Sequence, residues 1–89
     1  MNILCTNLYE TKLKNILEKF AKDDIESTKK FKLYLDTIIL NMPTKAKKYK
    51  TSIYFDNENI RDIEHEGFII PFYIDDKNDN YLILSIIEK

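Results

Sequence analysis

Ile60 to Ile87 reads I-R-D-I-E-H-E-G-F-I-I-P-F-Y-I-D-D-K-N-D-N-Y-L-I-L-S-I-I, and this stretch decides the fold class. Ile60–Glu66 nearly alternates apolar and polar residues, as a strand with one buried face does. Phe68–Ile74 and Tyr81–Ile87 are continuous apolar runs bounded by turn-forming residues. Gly67, the one glycine of the chain, sits between the first two runs, where a tight hairpin needs a positive φ. Asp75–Asn80 (D-D-K-N-D-N) is a polar turn segment between the second and third. The spacing predicts strands at 60–66, 68–74 and 81–87 in an antiparallel meander. Pro71 has no N–H to give a ladder, so it predicts a bulge or an edge whose N–H side faces outward.

Upstream the period changes from two to between three and four. Asn2–Thr6 (N-I-L-C-T) reads as a short first strand. Asn7 followed by Glu10 fits a capping box. Tyr9, Leu13, Ile16, Leu17 and Phe20 then form one apolar stripe on a helix of about four turns. Asp23 and Glu26 repeat the capping pattern, and a second helix is expected from about Asp24 to Leu40. Phe31, Leu35, Ile38 and Met42 form its stripe, widened by Tyr34 and Ile39. Pro43 cannot continue the helical ladder and disfavours helical geometry at Met42. With a connection of about three residues the helices should pack as an antiparallel hairpin. Helices first and strands after give an α+β fold: short N-terminal strand, helix hairpin on one sheet face, three-stranded meander.

The 89 residues suit a single domain, 1–89, and the 44% apolar and 33% charged content is that of a globular chain. Cys5, the single cysteine, cannot close an intrachain disulfide or build a cysteine zinc cluster, which suits a reducing compartment. Its apolar setting predicts a buried structural thiol. No apolar run approaches the ~18 residues of a membrane span, and no basic region followed by an apolar one marks a secretory signal, so a cytoplasmic protein is expected. The net charge of −1 conceals a split. Residues 1–50 hold 11 Lys and 6 acids, a sum of +5, whereas residues 51–89 hold 3 Lys/Arg and 9 acids, a sum of −6. That is neither a uniformly basic nucleic-acid binder nor an acidic tail.

The order strand, helix hairpin, basic loop, meander resembles the RelE/ParE superfamily of bacterial toxins. S-T-K-K-F-K-L-Y-L-D-T-I-I-L-N-M-P (27–43) is similar to that family's second helix with its closing proline. N-I-R-D-I (59–63) resembles the family's I-R-E-L strand opening, G-F-I-I-P-F-Y-I-D (67–75) its G-Y-R-I-I-Y-R-I-D strand, and Y-L-I-L-S-I-I (81–87) its terminal strand. The resemblance implies the toxin component of a type II toxin–antitoxin system, inhibiting growth and neutralised by a cognate antitoxin protein. It implies action either on DNA gyrase, as in the ParE branch, or on mRNA at the ribosome, as in the RelE branch. The RelE branch cuts RNA without a metal and needs cations at the scissile phosphate. Here the family's strand arginines are replaced by Ile69 and Tyr73, and the basic tail is cut short at Glu88-Lys89. That favours a ParE-like action over a RelE-like metal-independent endoribonuclease. A toxin-fold binding module without activity is the third reading.

Candidate chemistry is sparse. Arg61, the only arginine, can grip a phosphate or carboxylate with two parallel hydrogen bonds, or serve as a structural or antitoxin-facing partner. His65, the only histidine, suits proton transfer but sits beside the Gly67 turn, which predicts an exposed turn residue. These are the catalytic candidates. Lys45, Lys47, Lys48 and Lys50, with Tyr49 interleaved, form the one dense basic patch and the candidate surface for nucleic acid or target. Asp75, Asp76 and Asp79 lack the glycine and closing glutamate of a calcium loop and read as a turn. No cofactor and no metal site are expected.

Overall fold

A computed structural model describes residues 2–89. Strand β1 (Asn2–Cys5) leads into α1 (Asn7–Asp23) and α2 (Ile25–Asn41), then a 3-10 helical segment (Met42–Lys48). Strands β2 (Ile60–His65), β3 (Phe68–Asp75), β4 (Asn80–Ile83) and β5 (Ile87–Glu88) follow. The sheet runs β1-β4-β3-β2, with β5 also on β3. β2, β3 and β4 form the expected antiparallel meander, and β1 lies parallel to β4. The α+β class and the element order match the sequence reading.

Both helices start one residue away from the predicted caps. Thr6, not Asn7, caps α1: its Oγ1 accepts from the Tyr9 N–H at 3.0 Å. Asp24, not Asp23, caps α2, accepting from the Ser27 N–H at 3.2 Å and the Ser27 hydroxyl at 2.9 Å. Those two bonds hold the Asp24 carboxyl below its ordinary range. Asp24 also ends α1, its N–H donating to Phe20 O. One extended residue therefore joins the helices, where about three were expected. Thr44–Lys50 is not a plain loop either. Met42–Lys48 is helical, with a break at Lys45 (φ −142°), and Pro43 sits in its first turn, where a missing N–H costs nothing.

The run 81–87 is two strands rather than one, and Pro71 accounts for the break. β4 pairs Phe72 with Ile83, whereas β5 pairs Ile69 with Ile87. Three residues, 84–86, thus oppose two, 70–71, and the neighbour strand carries a bulge. Of the two options Pro71 allowed, the structure takes the bulge, because β3 is flanked on both sides. The Leu84 N–H donates to Pro71 O at 2.9 Å. Pro71 has no N–H to return, so Leu84 O accepts from the Thr6 hydroxyl instead, at 2.6 Å. One hydroxyl thereby caps α1 and satisfies the bulge. Thr6→Val should lose both bonds, lowering stability by about 1–2 kcal/mol in urea unfolding, with Thr6→Ser restoring most of it. An unchanged unfolding midpoint in Thr6→Val would show that water replaces both contacts.

The hairpin turn is as expected: Gly67 has φ +84°, and Glu66 shares the left-handed region at φ 46°. Phe68, Ile70, Phe72 and Ile74 of β3 point to the helix side, where they pack with Leu13, Phe31, Leu35, Ile39 and Met42. Phe20, Phe31 and Phe68 meet edge-on, with centroids 5.4–6.0 Å apart. Tyr34, placed on the α2 stripe from sequence, is exposed, and Ile39 carries that part of the face.

Candidate functional site

The basic segment is fastened to the sheet by Arg61. Met42 and Ala46 are buried and turn the 3-10 helix inward, which leaves Lys45, Lys47 and Lys48 outside. The Arg61 guanidinium donates through Nε to Glu58 O at 3.0 Å, and through Nη1 to Lys47 O at 3.2 Å and Tyr49 O at 2.8 Å. Further bonds continue the clasp. The Asp62 N–H donates to Lys50 O and the Ser52 N–H to Ile60 O, and Thr51 pairs with Arg61. The Ile53 N–H donates to Asp62 Oδ2 at 3.0 Å. Residues 47–53 therefore lie fixed along the outer edge of β2.

Tyr49 is not the free aromatic of the sequence reading. Its ring packs edge-on against Phe72 at 5.6 Å, burial pushes its phenol upward, and Lys45 Nζ lies 5.8 Å from the ring centre. His65 is likewise misplaced by the sequence reading. It is buried rather than exposed, because it ends β2 on the helix side, its ring tilted 39° against that of Phe31 with centroids 5.2 Å apart. Its Nε2 is buried without a hydrogen-bond partner, a cost to the fold rather than a contribution. Arg61 and His65 share one face of β2 but stand four residues, about 13 Å, apart. The structure does not bring them together, and the groups Arg61 holds are backbone carbonyls. Ile69 is buried and Tyr73 partly so, and neither supplies a cation. Among the described residues, no three His, Cys, Asp or Glu side chains lie close enough together to hold a metal ion. Asp75 binds the Asn78 N–H and side-chain amide, as a turn does.

Two surfaces escaped the sequence reading. Ile53, Tyr54 and Phe55 are exposed beside the lysine segment. Ser52–Phe55 nearly alternates in sequence, as a strand does, but it forms bends rather than a strand. The second is a groove of about 470 Å³ at the seam of the helix hairpin, floored by Tyr9, Leu13, Leu17 and Ile39. The Lys32–Asp36 pair and Cys5 also line it. Cys5 is exposed there, not buried as its apolar run predicted, since β1 is the edge strand. Partial burial, then Glu10 and Asp36, push its thiol up, so it is protonated and a poor nucleophile at neutral pH. Burial does the same to the Tyr9 phenol.

The fold has a close counterpart among solved structures. The chain superposes on one from the chromosomal ParDE TA system from P. aeruginosa with a TM-score of 0.76, over 99% of this chain and 95% of that one. This is a ParE-like fold. Sequence identity across the pair is 16%, so the likeness lies in architecture rather than in shared side chains. No family model matches the chain, and no curated protein matches it in sequence. The ParE-like order of elements is the one that the resemblance of 27–43, 59–63, 67–75 and 81–87 implied. No helix among the described residues is long and apolar enough to cross a membrane.

Proposed function

We propose that the chain is a single-domain toxin of a bacterial type II toxin–antitoxin pair, kept inactive in the cytoplasm by a cognate antitoxin and directed at DNA gyrase. The observation that supports this most is the full-length ParE-like fold, which leaves neither chain with a large unmatched part. The choice of gyrase over mRNA rests on Arg61 and His65. An RNA-cutting site needs a cation at the phosphate and proton-transfer groups within reach of the ribose. Arg61 is spent on three carbonyls, and His65 is packed under α2. The antitoxin is taken to cover the apolar groove of the helix hairpin and the neighbouring open edge of β1, the latter by adding a strand. Covering that edge also removes an aggregation-prone ladder.

Inducible expression of the chain alone should arrest growth, and co-expression of the product of a neighbouring small reading frame should restore it. The purified chain should block gyrase supercoiling and leave ribosome-bound mRNA intact. Normal growth on expression alone would reject the toxin reading and leave the inactive binding module. Ribosome-dependent cleavage, lost in Arg61→Ala and His65→Ala, would replace gyrase by mRNA and assign Lys47, Lys48, Arg61 and His65 to the cut.

A further inference from the structure

Ile53, Tyr54 and Phe55 are 75%, 45% and 40% exposed, three apolar side chains in succession. Single exposed apolar residues are ordinary, but a contiguous patch marks a contact surface. Its neighbour Ser52 is buried while Ile53 faces solvent, the reverse of what core packing would select. Nor is the loop slack. Besides the Ile53 bond to Asp62, the Tyr54 N–H donates to Ser52 Oγ at 3.1 Å, the Asn59 N–H to Asn57 Oδ1 at 2.8 Å, and the Ile60 N–H to Asn57 O at 3.1 Å. A surface ordered beforehand loses little entropy on binding.

The charges around it choose the partner. Along the chain Lys45, Lys47, Lys48 and Lys50 precede the triplet and Arg61 follows it, with Asp56, Glu58 and Asp62 close by, and Asp76 is brought in from the β3–β4 turn. Lys47 Nζ is already 3.6 Å from the Asp76 carboxylate. Five cations against four anions do not make the continuous positive track that a nucleic-acid backbone requires. An apolar centre with a charged rim is the anatomy of a protein contact. From this geometry we infer that Ile53, Tyr54 and Phe55 enter an apolar pocket on the target protein, whose carboxylates meet Lys47, Lys48 and Lys50. The inference rests on the toxin reading and names the surface that toxin uses. This patch lies at the β2 edge of the sheet, whereas the hairpin groove lies beside Cys5 of β1, at the opposite edge. Target contact and antitoxin contact are therefore separable.

Two variants test it: Ile53→Ser/Tyr54→Ser/Phe55→Ser, and Lys47→Glu/Lys48→Glu. Each is scored for growth arrest at graded induction, inhibition of purified gyrase, antitoxin binding and thermal midpoint. Loss of a hot-spot cluster should weaken arrest and inhibition on the order of 100-fold in the triple variant, with midpoint and antitoxin binding unchanged. The charge variant should also weaken both readouts, and more so at low salt. If arrest occurs without gyrase inhibition, the gyrase choice fails while arrest potency still decides the surface. Equal potency of the triple variant and the original chain overturns the inference and leaves the toxin reading standing. Retention of a short poly-dT oligonucleotide by the original chain, lost in the triple variant, would overturn it in favour of nucleic acid. A chain that never arrests growth overturns both readings.

Discussion

Phe72→Ala should cost about 3–5 kcal/mol of folding stability, the usual range for emptying a sealed aromatic site. Phe72 has no exposed surface, and it sits on β3 between β2 and β4. Its ring faces the helices and meets that of Tyr49 at nearly a right angle. Core side chains are close-packed, so neighbours held by ladder bonds on both flanks relax only partly into the space. A domain of this size holds roughly 5–15 kcal/mol in all, so the alanine variant should approach partial unfolding at room temperature. Urea unfolding should show a large fall in midpoint at an unchanged slope. Phe72→Leu, which keeps most of the volume, should lose clearly less. A loss below about 1 kcal/mol in Phe72→Ala would mean that the helices do not seal this face of β3. The effect should also reach the lysine segment, because Phe72 is what Tyr49 leans on.

What could be read from the sequence follows from the range of the interaction concerned. The change from helical to strand spacing near residue 50 is local, and so is the Gly67 hairpin, and both stand as expected; Pro43 ends the α-helix at Asn41 but does not turn Met42 out of helical geometry (φ −56°, ψ −42°), since the chain runs on as a 3-10 helix. Asn7 and Asp23 are capping residues by type, but Thr6 and Asp24 stand next to them and have the same ability. At the first site the choice is tied to Leu84 O, 78 positions away, which needs the Thr6 hydroxyl because Pro71 has no N–H. Cys5 and His65 reversed for a related reason. An apolar run buries a thiol only if something covers the strand, and β1 is an edge. A residue beside a turn is exposed only if no helix overlies it, and Phe31 overlies His65. At the candidate site the lysines were legible as a charge run. Their holder was not, since Arg61 reaches carbonyls 12 and 14 residues back along the chain. The substitution of Tyr54 and Phe55 for Tyr49 as the presented aromatics has the same origin: which tyrosine faces inward is set by where Phe72 lies.

Arg61→Ala should lower stability by about 2–3 kcal/mol and loosen the whole segment from Lys47 to Tyr54. The guanidinium is a charged donor to three carbonyls on two stretches of chain, Glu58 on one side and Lys47 with Tyr49 on the other. Charge-assisted bonds of this kind are stronger than neutral ones, and here they extend to Lys47 and Tyr49 the hold that the backbone bonds of Lys50 and Ser52 with β2 begin. Without them the carbonyls turn to water, and the amides of Ser52, Ile53 and Asp62, which bond along the same edge, should exchange hydrogen faster than those of β3. Arg61→Lys should recover little, because one ammonium on a flexible stem cannot reproduce the planar fork that spans both stretches. Full recovery by lysine would show that only the positive charge matters and that the clasp is not geometric. The same pair of variants separates a positioning residue from a catalytic one. If Arg61 touched a phosphate, its loss would abolish activity while leaving the unfolding midpoint in place. If it holds the lysine and aromatic surface, growth arrest, amide protection of 52–62 and stability should decline together, and the decline in arrest should match that of the Ile53–Phe55 triple variant rather than exceed it.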